Sequence, residues 1–174
     1  KGNFSEEDKL EPSNPYSASK ASAEMLINSY ARTYDINAII TRCTNNFGPR
    51  QHIEKLIPKT IVCALSGIPI PIHGSGKYKR QWIYVNDHCD ALLKIISKWK
   101  SNSSNSSIYN ICGNYETTNL NLVKKILTIL EKPYDLIKFV SNRPGQDHRY
   151  ALDCKKLMKF SKFEAKTPPQ DALE

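Results

Sequence analysis

Apolar positions recur along this chain with two different periods, and their alternation sets out its elements. A helical period opens at Asn14-Pro15, a capping amide followed by proline at the first helical position. It runs through SASKASAEMLINSYARTY and stops near Asp35-Ile36-Asn37. AIITRC then reads as a buried strand and NNFGP as the loop after it. EKLIPKTIVCALSG is helical, with Pro58 predicted in its first turn, the place where a helix tolerates proline. IPIPIHG is a short extended run closed by a Gly-Ser-Gly turn, and QWIYV a strand. Asn86 is expected to cap the helix DHCDALLKIISKW, and SNSSNSS to form a low-complexity surface loop. IYNICG, NLNLVKKILTILEK and LIKFV follow as strand, amphipathic helix and strand. This alternation predicts an α/β architecture with a parallel sheet.

The ends fit that plan less well. KGNFSEEDKLEPSN is polar and suggests no strand, and TPPQDALE resembles the opening turn of a helix, so the chain reads as a fragment. Within 174 residues, 40% hydrophobic positions suffice for a real core. The net charge of +8 favours acidic partners. The lysines are scattered and no helix carries a basic stripe, which argues against nucleic acid and for an anionic small molecule. Cys43, Cys63, Cys89, Cys112 and Cys154 lie far apart, without a CxxC pair, and are expected to be buried free thiols in a reducing compartment. No apolar run has the length of a membrane span and no signal peptide opens the chain, so a soluble, cytoplasmic protein is expected. The N-x-S/T triplets at Asn3, Asn102 and Asn105 then read as polar loop.

Candidate chemistry begins with PYSASK, where Tyr16 precedes Lys20 by one helical turn, so both side chains share a face. A tyrosine ionises near pH ~10, too high for a general base at neutral pH. A neighbouring ammonium favours the phenolate and brings that value down. By itself YxxxK also describes many solvated helix faces. NDHCD at 86–90 is no metal site, because consecutive helix residues fan out and cannot converge on one ion. GSGK at 74–77 lacks P-loop spacing and reads as a turn. The apolar stripe on NLNLVKKILTIL is expected to be core.

Taken in order, PYSASKASAE, TRCTNNFGPRQ, EKLIP, IPIHGSGKYKRQWIYVNDHCDAL, YNICG and NRPGQDHRY resemble the extended short-chain dehydrogenase/reductase superfamily. Within it the likeness is to the nucleoside-diphosphate-glucose 4,6-dehydratases, and it runs from Pro15 to about Leu173. EKLIP and RPGxD are the most discriminating blocks. The resemblance implies the C-terminal part of an NAD-binding Rossmann fold with most of a smaller substrate domain. Residues 1–43 would be the Rossmann remnant and 44–174 mainly sugar-nucleotide-binding, with about 81–100 returning to the Rossmann side.

The resemblance also implies roles. Tyr16 would be the base towards the glucose C4 hydroxyl, and Lys20 would lower its pKa and bind the nicotinamide ribose. Asn46 would contact NAD, and Asn45 the sugar nucleotide. Lys55, Leu56, Pro71, Ile72 and His73 would line the pocket. Arg80 and Arg143 would grip the diphosphate, which suits the planar fork of arginine. Tyr115 and the loop Asn142, Arg143, Pro144, Gly145 and Gln146 complete the implied substrate contacts. The family reaction is internal redox: hydride leaves C4 for NAD, water is eliminated across C5 and C6, and hydride returns to C6.

The glycine-rich turn that cradles the NAD pyrophosphate and the Thr-Asp-Glu of the elimination step are not among these residues. The fragment is therefore expected to be inactive alone. His73 stands where a tyrosine is common, Gln81 replaces an aspartate, Tyr115 replaces an asparagine, and Asn142 and Gln146 replace an acid and a histidine. These departures bear on dTDP-glucose against UDP-glucose. Other short-chain enzymes, a UDP-glucuronate decarboxylase or a 4-epimerase, remain alternatives, as does a non-catalytic nucleotide-sugar binding module. Relatives of this kind pair through the helix that starts at Tyr16, so a homodimer is expected of the full-length protein.

Overall fold

A computed structural model describes residues 2–99 and 107–173. Its α/β class agrees with the sequence reading. Helix α1 (Pro15–Tyr34) leads into β1 (Ile39–Cys43), which pairs in parallel with β5 (Ser107–Ile111). Helices α3 (Val85–Lys98) and α5 (Lys155–Ser161) cover this pair. Ile83, Ala91, Ile95, Ile111, Leu157 and Phe163 form the core between them.

A second pair, β3 (Ile70–His73) and β7 (Ile137–Val140), is also parallel and packs on α2 (Leu56–Ser66) and α4 (Asn119–Ile129). Between the two units lies a sheet centred on β4 (Lys79–Tyr84). One edge of β4 takes β2 (Asn45–Phe47) and β8 (Arg149–Tyr150), both parallel, and the other takes β6 (Tyr115–Thr118), antiparallel.

Several expectations are corrected. Asn45 to Phe47, read as loop, is strand β2, because β4 offers it an edge and Phe47 is buried against Trp82 and Tyr84. Asn86 does not cap α3: strand β4 runs directly into the helix, Tyr84 is the capping residue, and Asn86 lies exposed in the first turn. The N-terminal segment is polar as read, yet Phe4 forms one bridge to Leu152, with Phe4 N donating to Ala151 O at 3.0 Å. At the other end, Ala172 N donates to Pro168 O at 3.1 Å, a single turn whose Ala172 and Leu173 pack on the core around Trp82.

The cysteines also depart from the reading of five free thiols. Cys63 is buried and free, Cys89 is exposed, and Cys112 is joined to Cys154. The end of β5 meets the start of α5 because the Asn110 side-chain amide donates to Asp153 O at 3.2 Å. That contact leaves the two Cα atoms 6.0 Å apart, within the span of a disulfide. The triplets at Asn102 and Asn105, and SNSSNSS up to Ser106, lie outside the described residues.

Candidate active site

Helix α1 begins where the sequence places it. Asn14 sits in extended backbone and its side-chain oxygen accepts from Ser17 N at 2.9 Å, satisfying one of the free donors of the first turn. Tyr16 and Lys20 follow on one face, both exposed, Tyr16 at 73%. One turn further, Glu24 is held by Arg42 of β1 through a forked contact at 2.7 and 3.0 Å. The Tyr16–Lys20–Glu24 face is therefore turned towards β1.

At the C-terminal end of β1, burial pushes the Cys43 thiol up in pKa. The Asn46 amide, donating at 3.3 Å, and the positive charge of Lys20 pull the other way. Lys20 and Asn46 thus converge on the same strand end. Tyr150 closes it from β8, its hydroxyl donating to Cys43 O at 3.3 Å.

The loop 141–147 forms the second part of the site. His73 Nδ1 lies 2.9 Å from Ser141 O, and the Asn142 side chain donates to the Tyr78 hydroxyl. Arg143 N donates to Asn142 Oδ1 at 3.0 Å, while the Arg143 side chain is exposed. Arg80 Nη2 donates to Asp147 O at 2.8 Å. Half-buried, the Arg80 guanidinium is pulled down in pKa by desolvation and raised again by Asp147. Ser13 and Asn14 hold Gly145 O at 3.1 Å each, which fastens this loop to the cap of α1.

Two buried acceptors, Asn46 Oδ1 and Gln146 Oε1, have no hydrogen-bond partner among the described residues. A buried acceptor left unpaired costs about 1–3 kcal/mol, so each favours a ligand that donates, such as a hydroxyl.

The remaining candidates fall in different places. Asn45 is half-buried in β2, opposite Trp82. Lys55 is exposed just ahead of α2, and Leu56 packs into the core beneath that helix. Pro71 is half-buried on β3, while Ile72 is 2% exposed and belongs to the core under α2 and α4. Its side chain is therefore not open to a ligand. Tyr115 lies on β6, across β4 from Tyr150, beneath the ammonium of Lys125. The structure fastens the loop 141–147 to the start of the Tyr16 helix, to Arg80 and to His73, and sets Asn46 at the end of β1, while Tyr115 lies on β6. A shallow cleft of about 410 Å³ runs past Met25, Asn28 and Arg32 on the far half of α1 and is lined by none of these candidates.

Sequence reasoning missed the residues that fasten these parts together. Gln81, noted only as a departure, is 7% exposed and bridges Gly113 O and Leu152 N, at 2.8 Å each. Asp147 and Tyr150 lie inside the NRPGQDHRY block, which is the signal that could have found them.

A sequence model of the NAD dependent epimerase/dehydratase family matches residues 1–112. Low-salt glycan biosynthesis protein Agl12 of Haloferax volcanii is 44% identical over 173 residues, covering 99% of this chain and 54% of that protein. The dTDP-glucose 4,6-dehydratase of Neisseria gonorrhoeae is 45% identical over 165 residues, covering 88% of this chain and 46% of that one. Among solved structures, the dTDP-glucose 4,6-dehydratase of Bacillus anthracis in complex with NAD superposes with a TM-score of 0.90 at 40% identity. That superposition covers 99% of this chain and 54% of the other. The chain spans about half the length of the curated relatives it matches.

Proposed function

The chain belongs to the NAD dependent epimerase/dehydratase family, and on that premise we propose that it carries the Tyr–Lys pair and sugar-nucleotide pocket of an NAD-dependent dTDP-glucose 4,6-dehydratase, a lyase. The observation that carries this reading is the convergence of Lys20 and Asn46 on the end of β1, beside an arginine-bearing loop fastened to the same helix as Tyr16. Relatives at 44–45% identity, one of them named for this activity, support the substrate class.

Within the site, Tyr16 takes the proton from the sugar C4 hydroxyl, and Lys20 stabilises the phenolate that does so. Arg80 and Arg143 face the diphosphate, where paired N–H donors suit phosphate oxygens. The residues also fit a dinucleotide: Lys20 offers donors to a ribose, and the unpartnered Asn46 Oδ1 offers a hydroxyl its acceptor. Bound there, NAD supplies the hydride acceptor and donor. Lys20, Tyr16 and Asn46 are the residues here that would hold it. The glycine-rich turn and the elimination acid and base of the family pattern are not among these 174 residues, so turnover by this chain alone is not expected.

The core shared by β1, β5, α3 and α5 supports assigning those elements to the dinucleotide side, with the elements around β3 and β7 on the substrate side. Exposed Met25, Leu26, Ile27 and Tyr30 on α1 support pairing of two copies through that helix.

Calorimetry with dTDP, UDP and their glucose conjugates tests the pocket. Binding of dTDP and dTDP-glucose, lost on Arg143→Ala with Arg80→Ala, is expected. Failure of all four ligands to bind overturns the reading.

A further inference from the structure

The contacts between residues 13–14 and 145–147 join segments more than 130 positions apart, and they do so at the two halves of the proposed site. Ser13 Oγ lies 2.9 Å from Asp147 Oδ1 and 3.1 Å from Gly145 O, sharing one proton between two acceptors. Asn14 uses both ends of its amide: Oδ1 caps α1 at Ser17 N, and Nδ2 donates to Gly145 O at 3.1 Å. Gly145 is shaped for this approach. Its φ is +65°, and a Cβ there would stand 2.8 Å from Ser13 O and 3.1 Å from Asn14 Cβ. No other residue type brings that loop so close to the start of α1. The loop's far end is tied in turn to β4 through Arg80 and Asp147 O.

We propose that Ser13 and Asn14 are positioning residues that latch the Arg143 loop onto the first turn of the Tyr16 helix, making the diphosphate seat and the general base one rigid unit. This rests on the nucleotide-sugar reading above. The physical argument is preorganisation. An exposed loop with an arginine at its tip must lose conformational freedom to grip an anion, and three hydrogen bonds to a capped helix remove that freedom before the ligand arrives. The latch also fixes the separation between the anion and Tyr16, so a nucleotide sugar seated by its diphosphate presents its sugar to the phenol.

The variants separate latch from fold. Asn14→Ser keeps a good helix cap but is too short to reach Gly145 O. Ser13→Ala removes the shared hydroxyl, and Ser13→Thr restores it. Two measurements are made on the whole chain: hydrogen exchange over residues 142–148, and calorimetry with dTDP. The latch predicts faster exchange at 142–148 in Asn14→Ser and Ser13→Ala, with the rest of the molecule unchanged. It also predicts dTDP binding weakened about five- to tenfold in both, as expected for one or two lost hydrogen bonds, and wild-type affinity in Ser13→Thr. Unchanged exchange, or unchanged dTDP affinity in both variants, overturns the latch. If the wild-type chain binds no nucleotide, the functional reading falls, and the exchange data alone decide whether the two segments are coupled.

Discussion

Arg42 on β1 holds the carboxylate of Glu24 on α1 with Nη2 at 2.7 Å and Nε at 3.0 Å, and both side chains are largely out of water, at 14% and 17% exposure. Its remaining Nη1 donates to Glu6 O at 3.3 Å. Glu24 is one turn beyond Lys20, so this pair sets the rotation of α1 over the end of β1. Removing one partner leaves the other charge poorly solvated and unpaired. Arg42→Met is expected to cost about 2–3 kcal/mol in urea unfolding. Adding Glu24→Leu to it should recover part of that loss. A double variant that is simply additive would show that the two do not act as a pair.

Gln81 leads to a second prediction, because its amide must both donate to Gly113 O and accept from Leu152 N. Glu at this position has the same shape but no donor, and it would turn a carboxylate oxygen towards a carbonyl. Gln81→Glu is expected to destabilise by about 2–3 kcal/mol near neutral pH. Beneath it, a Cβ on Gly113 would fall 2.0 Å from Trp82 O. Gly113→Ala should therefore cost about 3 kcal/mol or more, with insoluble expression as the visible result. A Gly113→Ala protein that melts like the parent would refute the close crossing of these strands.

Gln81 also shows where sequence reading reaches its limit. Its departure from the family aspartate looks from the sequence like a change in ligand contact, yet the buried side chain is committed to two backbone groups. The long elements were legible because β1, β5 and β7 are rich in β-branched and aromatic residues and α4 carries a clear stripe. Strands β2, β6 and β8 were not. NNF, YETT and RY have no period to read, and they become strands because β4 presents two free edges. Of the candidate site, Tyr16 and Lys20 are proposed from local spacing, and Arg80 and Arg143 from the resemblance. Ser13 was not legible, since its partner is 132 positions away and nothing local marks it.

His88 links the fold to mildly acidic pH. Burial holds its imidazole below the usual histidine range, and its buried Nδ1 has no partner among the described residues. The folded protein thus keeps His88 neutral where an unfolded chain would protonate it, below pH ~6.5. The contribution is whole above that value and is lost as pH falls towards the folded pKa. Urea midpoints measured at pH 7.5, 6.5 and 5.5 should decline for the parent, with a shallower decline for His88→Phe. An identical slope in the two proteins would assign the acid sensitivity elsewhere.

Tyr150 sets the alkaline limit. Burial, followed by the repulsion of a Cys43 thiolate, pushes its phenol up to about 12. Tyr109 is also raised, by burial and the nearby charge of Glu6. An acid whose folded pKa is raised keeps its proton in the fold and gives it up in the unfolded chain. Tyr150 therefore contributes fully below the ordinary tyrosine value of ~10, and the contribution disappears as pH rises through the folded value. Tyr150→Phe keeps the ring and loses only the 3.3 Å bond to Cys43 O, a cost of less than about 1 kcal/mol at pH 7. Above pH ~10 the parent weakens by a route the variant lacks, so the difference in stability should shrink and then reverse. Ultraviolet titration of tyrosinate resolves the same group directly. Of the nine tyrosines, the last to ionise should vanish from the curve in Tyr150→Phe. A variant that retains that final step would show that Tyr150 meets solvent, and the strand end behind Tyr16 and Lys20 would then be open where the structure has it closed.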